Sequence, residues 1–145
     1  MPLRNIVKKE LISCTPTTSV TDVAKLMKKR EVGAVLVIEE SRPVGIVTDR
    51  DLVIRCLAES KRASSLTAED VMSGAVETVS DEEGIYDVVQ KMRKGCIRRV
   101  VVVNDLGEAT GLLSFDDVFE LIADEMGAMK EVVQPREPKI VENAA

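Results

Sequence analysis

The feature that most constrains this chain is a seven-residue pattern that occurs twice. Residues 45 to 51 read Gly45-Ile46-Val47-Thr48-Asp49-Arg50-Asp51, and residues 111 to 117 read Gly111-Leu112-Leu113-Ser114-Phe115-Asp116-Asp117. Each copy is Gly, two apolar residues, a hydroxyl, two free positions and Asp, set between a β-like run and a helix-like run. A hydroxyl and a carboxylate so spaced at a strand-to-helix junction suit a phosphorylated, ribose-bearing ligand. The hydroxyl and the first helical N–H groups can meet a phosphate, and the carboxylate can accept from two ribose hydroxyls. The same residue types are also good helix caps, so Thr48, Ser114, Asp51 and Asp117 carry a structural reading beside the ligand one.

The repetition extends well beyond the motif. Shifted by 65, residues 5–38 overlie residues 70–103 without a gap, with identities at Asp22/Asp87, Val23/Val88, Met27/Met92, Lys29/Lys94, Val35/Val100 and Val37/Val102. The apolar pattern coincides, and the motif recurs after one inserted residue in the hairpin turn. This is an internal duplication.

Each half reads strand, helix, strand, strand, helix. In the first, residues 3–7 form a short helical lead-in and residues 10–14 an extended stretch. A helix is expected over Val20–Lys29, strands over Gly33–Ile38 and Val44–Val47 with a turn at Glu39–Pro43, and a helix over Arg50–Glu59. Lys61–Ser65 reads as a polar linker. The second half expects a helix over Glu83–Lys94, strands over Arg98–Val103 and Gly111–Leu113 with a turn at Asn104–Gly107, and a helix over Phe115–Met126. The expected units are 1–65 and 66–130, with 131–145 as a flexible tail. Neither unit, at roughly 60 residues, buries much alone, so the two are expected to stack sheet to sheet around one core. That core must be aliphatic, because the chain has no Trp, one Tyr and two Phe. The fold class is α/β (α+β).

Composition narrows the function. The formal net charge of −5 opposes nucleic acid as main partner, since phosphate backbones need a basic surface. No apolar run reaches the length of a membrane span, and no signal-peptide core opens the chain, so a cytoplasmic protein is expected. Cys14, Cys56 and Cys96 form no CxxC pair and read as small buried hydrophobes. With no His in the chain, most zinc sites and the usual nucleophile–base pairs are absent. No P-loop or metal cluster is legible, and no enzyme is expected.

The two motif copies, each ending a β-α-β-β-α unit, resemble a tandem pair of CBS domains, a Bateman module, over residues 3 to 127. The resemblance implies a pseudo-twofold pair with two clefts that bind adenosine compounds: AMP, ADP, ATP or S-adenosylmethionine. It maps phosphate contacts to Thr48 and Ser114, ribose contacts to Asp51 and Asp117, and base contacts to Ile46 and Leu112. A Thr or Ser before the first helix, here Thr15 and Ser80, is implied to reach base or ribose. Arg98 and Arg99 open the second strand run where kinase γ-subunit relatives carry a basic pair for phosphate; Gly33 and Ala34 hold those places in the first unit. Arginine's planar fork suits phosphate. The cleft of Ser114, Asp117, Arg98 and Arg99 is therefore expected to take phosphate better, with Arg50 as partial compensation in the other and Asp116 as an acidic neighbour. Arg98 and Arg99 also read as a charged strand edge, of which only one faces a given cleft.

The function implied is a non-catalytic regulatory sensor that signals to a protein partner in trans. The alternative is a structural or nucleic-acid-binding adaptor without a nucleotide ligand. The family habit of pairing modules through the motif-following helices implies a homodimer, with Val118, Leu121, Ile122 and Met126 as an apolar stripe.

Overall fold

The structure is a computed structural model describing residues 2–7 and 10–134. Among the described residues, six strands and five α-helices are arranged as two copies of one unit. The first unit holds β1 (Ser13–Cys14), α1 (Val20–Arg30), β2 (Ala34–Glu39), β3 (Arg42–Thr48) and α2 (Asp49–Leu52), which continues as a π-helical turn over Val53–Leu57. The connection carries α3 (Ala68–Val71). The second unit holds β4 (Thr78–Ser80), α4 (Ile85–Gly95), β5 (Arg99–Val103), β6 (Ala109–Ser114) and α5 (Phe115–Val133).

Each unit builds a three-stranded mixed sheet, β1-β2-β3 and β4-β5-β6. The first strand pairs parallel to the second, and the second antiparallel to the third. The register places Ala34 opposite Thr48 and Arg99 opposite Ser114. In both units the motif hydroxyl thus lies beside the residue that opens the central strand.

Local chemistry sets the boundaries. Ser19 caps α1 by accepting from Asp22 N at 3.1 Å, and the helix buries Val20, Val23 and Met27 at helical spacing. It ends at Glu31, whose φ of 53° is left-handed; α4 ends the same way at Cys96, φ 50°. The β2–β3 turn is tighter than expected: Glu40 and Ser41 both have positive φ, as a two-residue type I′ hairpin requires, so Arg42 and Pro43 already belong to β3. The Lys61–Ser65 stretch is more structured than a linker, because a 3₁₀ turn forms at Ala63–Ser65 and leads into α3. The last helix does not stop at Met126 but runs to Val133, which removes residues 131–133 from the expected tail; residues 135–145 lie outside the described residues.

The expected single core divides in two. One cluster joins Val23, Met27, Val35, Val37, Val47 and Cys56 to Ala68 and Val71. The other joins Val79, Val88, Met92, Val100, Val102, Leu113 and Val118 to Leu3. Strand alternation explains the split. Val35 and Val37 point to the helix side of their sheet, Val100 and Val102 to that of theirs. Leu36 and Val101 point to the opposite faces and are equally inaccessible, at 0% exposure each. The sheets therefore face each other across a thin apolar seam, with a separate core behind each.

The lead-in segments are exchanged. Leu3 N and Arg4 N donate to Glu83 O and Asp81 O of the second unit. At the equivalent positions, Ala68 N and Glu69 N donate to Thr18 O and Pro16 O of the first. Leu3 completes the second core, Ala68 and Val71 the first. The chain beyond α3 then pairs with β3, where Ile46 and Ser73 exchange two backbone bonds of 3.1 and 2.9 Å and close that sheet edge. Gly45 is needed for this approach: a Cβ there would lie 2.3 Å from Met72 Sδ. Of the cysteines, Cys56 is buried, Cys14 is half-buried with its thiol pushed up by burial against a smaller opposing hydrogen bond from Thr18, and Cys96 is exposed at the end of α4. The expectation of three buried cysteines thus fails at Cys96, which the left-handed helix end turns to solvent.

Candidate functional site: two clefts between the sheets

The motif residues first build their own helix starts. Thr48 N donates to Asp51 Oδ2 at 2.8 Å, and Asp51 N donates back to Thr48 Oγ1 at 3.2 Å. Ser114 and Asp117 repeat this reciprocal cap at 2.9 and 3.1 Å. One difference separates the copies. Ser114 Oγ also donates its proton to Asp117 Oδ2 at 2.6 Å, whereas among the described residues the Thr48 hydroxyl proton has no acceptor. Asp51 instead has Arg55 nearby, at 3.9 Å, while the Arg55 guanidinium donates to Val71 O and Met72 O and ties α3 to the first unit.

Two clefts open beside these caps, and each is made from both units. The Thr48 cleft, about 200 Å³, has Ile46 and Thr48 on one wall and Ile97, Arg98, Arg99 and Val101 on the other, with 75–77 as its floor. The Ser114 cleft, about 250 Å³, has Leu112, Ser114, Asp116 and Asp117 on one wall and Val32, Gly33 and Ala34 on the other, with 10–12 as its floor and Arg99 at its edge. The floors and the strand-opening walls correspond under the 65-residue shift, and the motif walls under a shift of 66 after the inserted turn residue, as a pseudo-twofold pair requires. Both cavities fall below the roughly 300–1,000 Å³ usual for a small-molecule pocket.

The rims differ. The Thr48 cleft is lined by Arg98, Arg99 and one carboxylate, Glu77. The Ser114 cleft is lined by Arg99 with Glu10, Asp116 and Asp117. Arg98 bonds to Asp116 at 2.8 Å and lies over the Phe115 ring at 5.7 Å from its centroid. Both partners are more than two-thirds exposed, so the pair is weak and Arg98 is free to turn toward an anion. Arg99 follows Val101 in alternation, points into the space between the sheets, and lines both clefts. Glu10 pairs with Arg30 at the other rim.

The expected site residues sort accordingly. Ile46, Thr48, Arg98 and Arg99 come together in one cleft, and Ala34, Leu112, Ser114, Asp117 and Arg99 in the other. Arg98 lines the Thr48 cleft while its guanidinium pairs with Asp116 on the wall of the Ser114 cleft, so it stands between the two rather than wholly with Ser114 and Asp117. Thr15 and Ser80 line neither cleft. β1 runs parallel to β2 with Cys14 opposite Val37, so Thr15 leaves the sheet at the end far from Thr48. There it closes a local turn, with Thr15 N donating to Thr18 Oγ1 at 3.1 Å. Ser80 sits in the corresponding turn, where Ser80 N donates to Glu83 and Ser80 Oγ accepts from Glu82 N. Arg50 and Asp51 also lie outside the cleft walls. The floors at 10–12 and 75–77 were not singled out from sequence, although the 65-residue shift pairs them.

Comparison with known proteins agrees with this architecture. The CBS domain family matches residues 3–57 and again 68–124. An uncharacterised protein of Methanopyrus kandleri is 30% identical over 117 residues, 80% of this chain and 60% of that protein, so the chain spans less than two-thirds of this relative. An uncharacterised Bacillus subtilis protein is 31% identical over 118 residues, 80% of this chain and 78% of that one. Among solved structures, a CBS domain protein of Pyrobaculum aerophilum complexed with AMP superposes with a TM-score of 0.75 at 28% identity, covering 88% of this chain and 99% of that one. The CBS domain pair of protein MJ0100, in complex with 5′-methylthioadenosine and S-adenosyl-L-methionine, gives 0.76 at 27% identity, covering 86% and 98%. Two matched units, two three-stranded sheets and two equivalent clefts make this chain a member of the CBS domain family, with its pair of domains in tandem.

Proposed function

We propose that the protein is a non-catalytic sensor that binds adenosine-containing ligands in the clefts between its two units and passes the bound state to a protein partner. The observation that carries this reading is the Thr48 cleft. An apolar slot formed by Ile46, Ile97 and Val101 ends at a hydroxyl with an uncommitted proton and at two guanidinium groups. That is the donor set a nucleoside phosphate needs. Solved structures of similar fold that hold AMP, 5′-methylthioadenosine and S-adenosyl-L-methionine support the adenosine class.

A ligand here touches both units at once, so binding favours one angle between the sheets and couples to any surface that depends on that angle. The helices after the motifs expose such a surface. Val53, Ile54 and Leu57 on the first and Phe119, Ile122 and Met126 on the second are all at least 44% exposed, which supports a homodimer through these faces. Among the described residues no helix is long and apolar enough to cross a membrane, and no group of three or more His, Cys, Asp or Glu is placed to hold a metal.

Titration of AMP, ATP and S-adenosylmethionine into the protein, followed by calorimetry, tests the ligand class. Binding of at least one of them with micromolar or tighter affinity is the expected result. No binding by any of the three would overturn the reading. Light scattering at micromolar concentration tests the dimer, and a monomer mass would overturn that part.

A further inference from the structure

Resting on that reading, we infer that the two clefts take chemically different ligands: the Thr48 cleft a phosphorylated adenosine, and the Ser114 cleft an adenosine compound whose 5′ substituent carries no phosphate and no net negative charge. Three observations point the same way. The first is the hydroxyl. The Thr48 hydroxyl is free to donate to a phosphate oxygen, whereas the Ser114 hydroxyl already donates to Asp117 Oδ2 at 2.6 Å, so a phosphate arriving there meets lone pairs. The second is the rim. Two guanidinium groups and one carboxylate line the Thr48 cleft, while one guanidinium and three carboxylates line the Ser114 cleft, where Asp116 is paired with Arg98 and Glu10 with Arg30. A phosphate beside Asp116 and Asp117 is repelled at short range, where a neutral thioether or a sulfonium is not.

The third is Arg99. It lines both clefts, but one planar fork can engage one phosphate. The Thr48 cleft also has Arg98 and can hold the phosphate between two cations. Once Arg99 and Arg98 both turn to that phosphate, Arg98 leaves Asp116, and the Ser114 cleft is left with Asp116 and Asp117 unpaired beside Glu10, which stays paired with Arg30. Filling the first cleft with nucleotide thus deepens the preference of the second for a ligand without phosphate. The protein reads two inputs, one of them anionic.

Native mass spectrometry and calorimetry on the intact chain, with AMP, 5′-methylthioadenosine and S-adenosylmethionine as probes, test this. The expected result is one AMP per chain, with one 5′-methylthioadenosine or S-adenosylmethionine added at saturating AMP. The methylthioadenosine arm asks whether absence of charge suffices, and the S-adenosylmethionine arm whether positive charge adds affinity. Arg98→Ala should weaken AMP by about tenfold or more and leave methylthioadenosine within about twofold. Glu10→Gln with Asp116→Asn, both on exposed side chains, should admit a second AMP. Two AMP per chain of comparable affinity in the unaltered protein, or AMP displacing the uncharged probe one for one, would overturn the inference while leaving the sensor reading intact. If none of the probes bound, both would fall together.

Discussion

Ser114 Oγ donates to Asp117 Oδ2 at 2.6 Å, closing a cap in which the Ser114 hydroxyl both donates and accepts within the helix start. Thr48 and Asp51 make the same cap with the hydroxyl proton left over. Removing the two hydroxyls should therefore have separable consequences. Ser114→Ala should cost about 1 kcal/mol of folding stability, in the range of a lost N-cap, with little change in AMP affinity. Thr48→Ala should cost a similar amount and also weaken AMP by roughly tenfold, the worth of one hydrogen bond to a charged group. Denaturant unfolding and AMP titration of the two variants check this; equal losses of AMP affinity would contradict the assignment.

Gly45 faces Met72, where an added Cβ would lie 2.3 Å from Sδ and 2.9 Å from Cγ. Gly45→Ala should destabilise by about 1–3 kcal/mol, the usual range for overpacking. Gly74, which has nothing within 4 Å of an added Cβ, is the control, and Gly74→Ala should be close to neutral. Unfolding midpoints in urea compare the two.

Two helix ends carry left-handed residues with side chains, Glu31 and Cys96, at φ 53° and 50°. Glycine reaches this region without the Cβ penalty. Glu31→Gly and Cys96→Gly should each raise stability by about 0.5–1 kcal/mol, read as higher unfolding midpoints at unchanged m-value. Cys96→Gly also removes the exposed thiol.

Glu83 ties the start of α4 together, accepting from Lys91 Nζ at 2.9 Å and Ser80 N at 3.1 Å. Partial burial alone would raise its carboxyl, but the bonds from Lys91 and Ser80 and the Lys91 charge outweigh it and hold the group below the ordinary glutamate value of 4.5. A depressed folded-state value means the native state favours the ionised form. The associated stability is present above the unfolded value near 4.5 and is lost as pH falls through the lower folded value. Glu83→Gln should flatten the fall in stability on acidification below that point, while a parallel pH profile would contradict this role.

The duplication made most of this architecture legible. Short continuous apolar runs rich in β-branched residues at 34–38 and 100–103, the Ser19 cap and the motif hydroxyls place the strands and helices within a few residues. What local patterns could not carry is the pairing of distant parts. Leu3 reads as a lead-in to the first unit, yet it completes the core of the second, because a short segment packs wherever an open sheet face needs cover. The same exchange puts Ala68 and Val71 into the first core. At the site, Thr48 and Ser114 were visible because a hydroxyl-to-carboxylate spacing recurs. Their opposite walls were not, because a cleft across units joins residues about 50 or more positions apart in the chain, such as Thr48 with Arg98. Thr15 shows a related limit: a Thr-Pro turn before a helix carries the same signature whether it meets a ligand or only closes itself.

The central claim is that the cleft of Thr48, Arg98 and Arg99 holds a nucleoside phosphate. Calorimetric titration of AMP into the unaltered protein and into the Arg98→Ala/Arg99→Ala variant tests it most directly. Saturable binding is expected in the first and at least about a tenfold loss in the second, with unfolding midpoints without ligand alike. AMP binding of equal affinity in both proteins would contradict it.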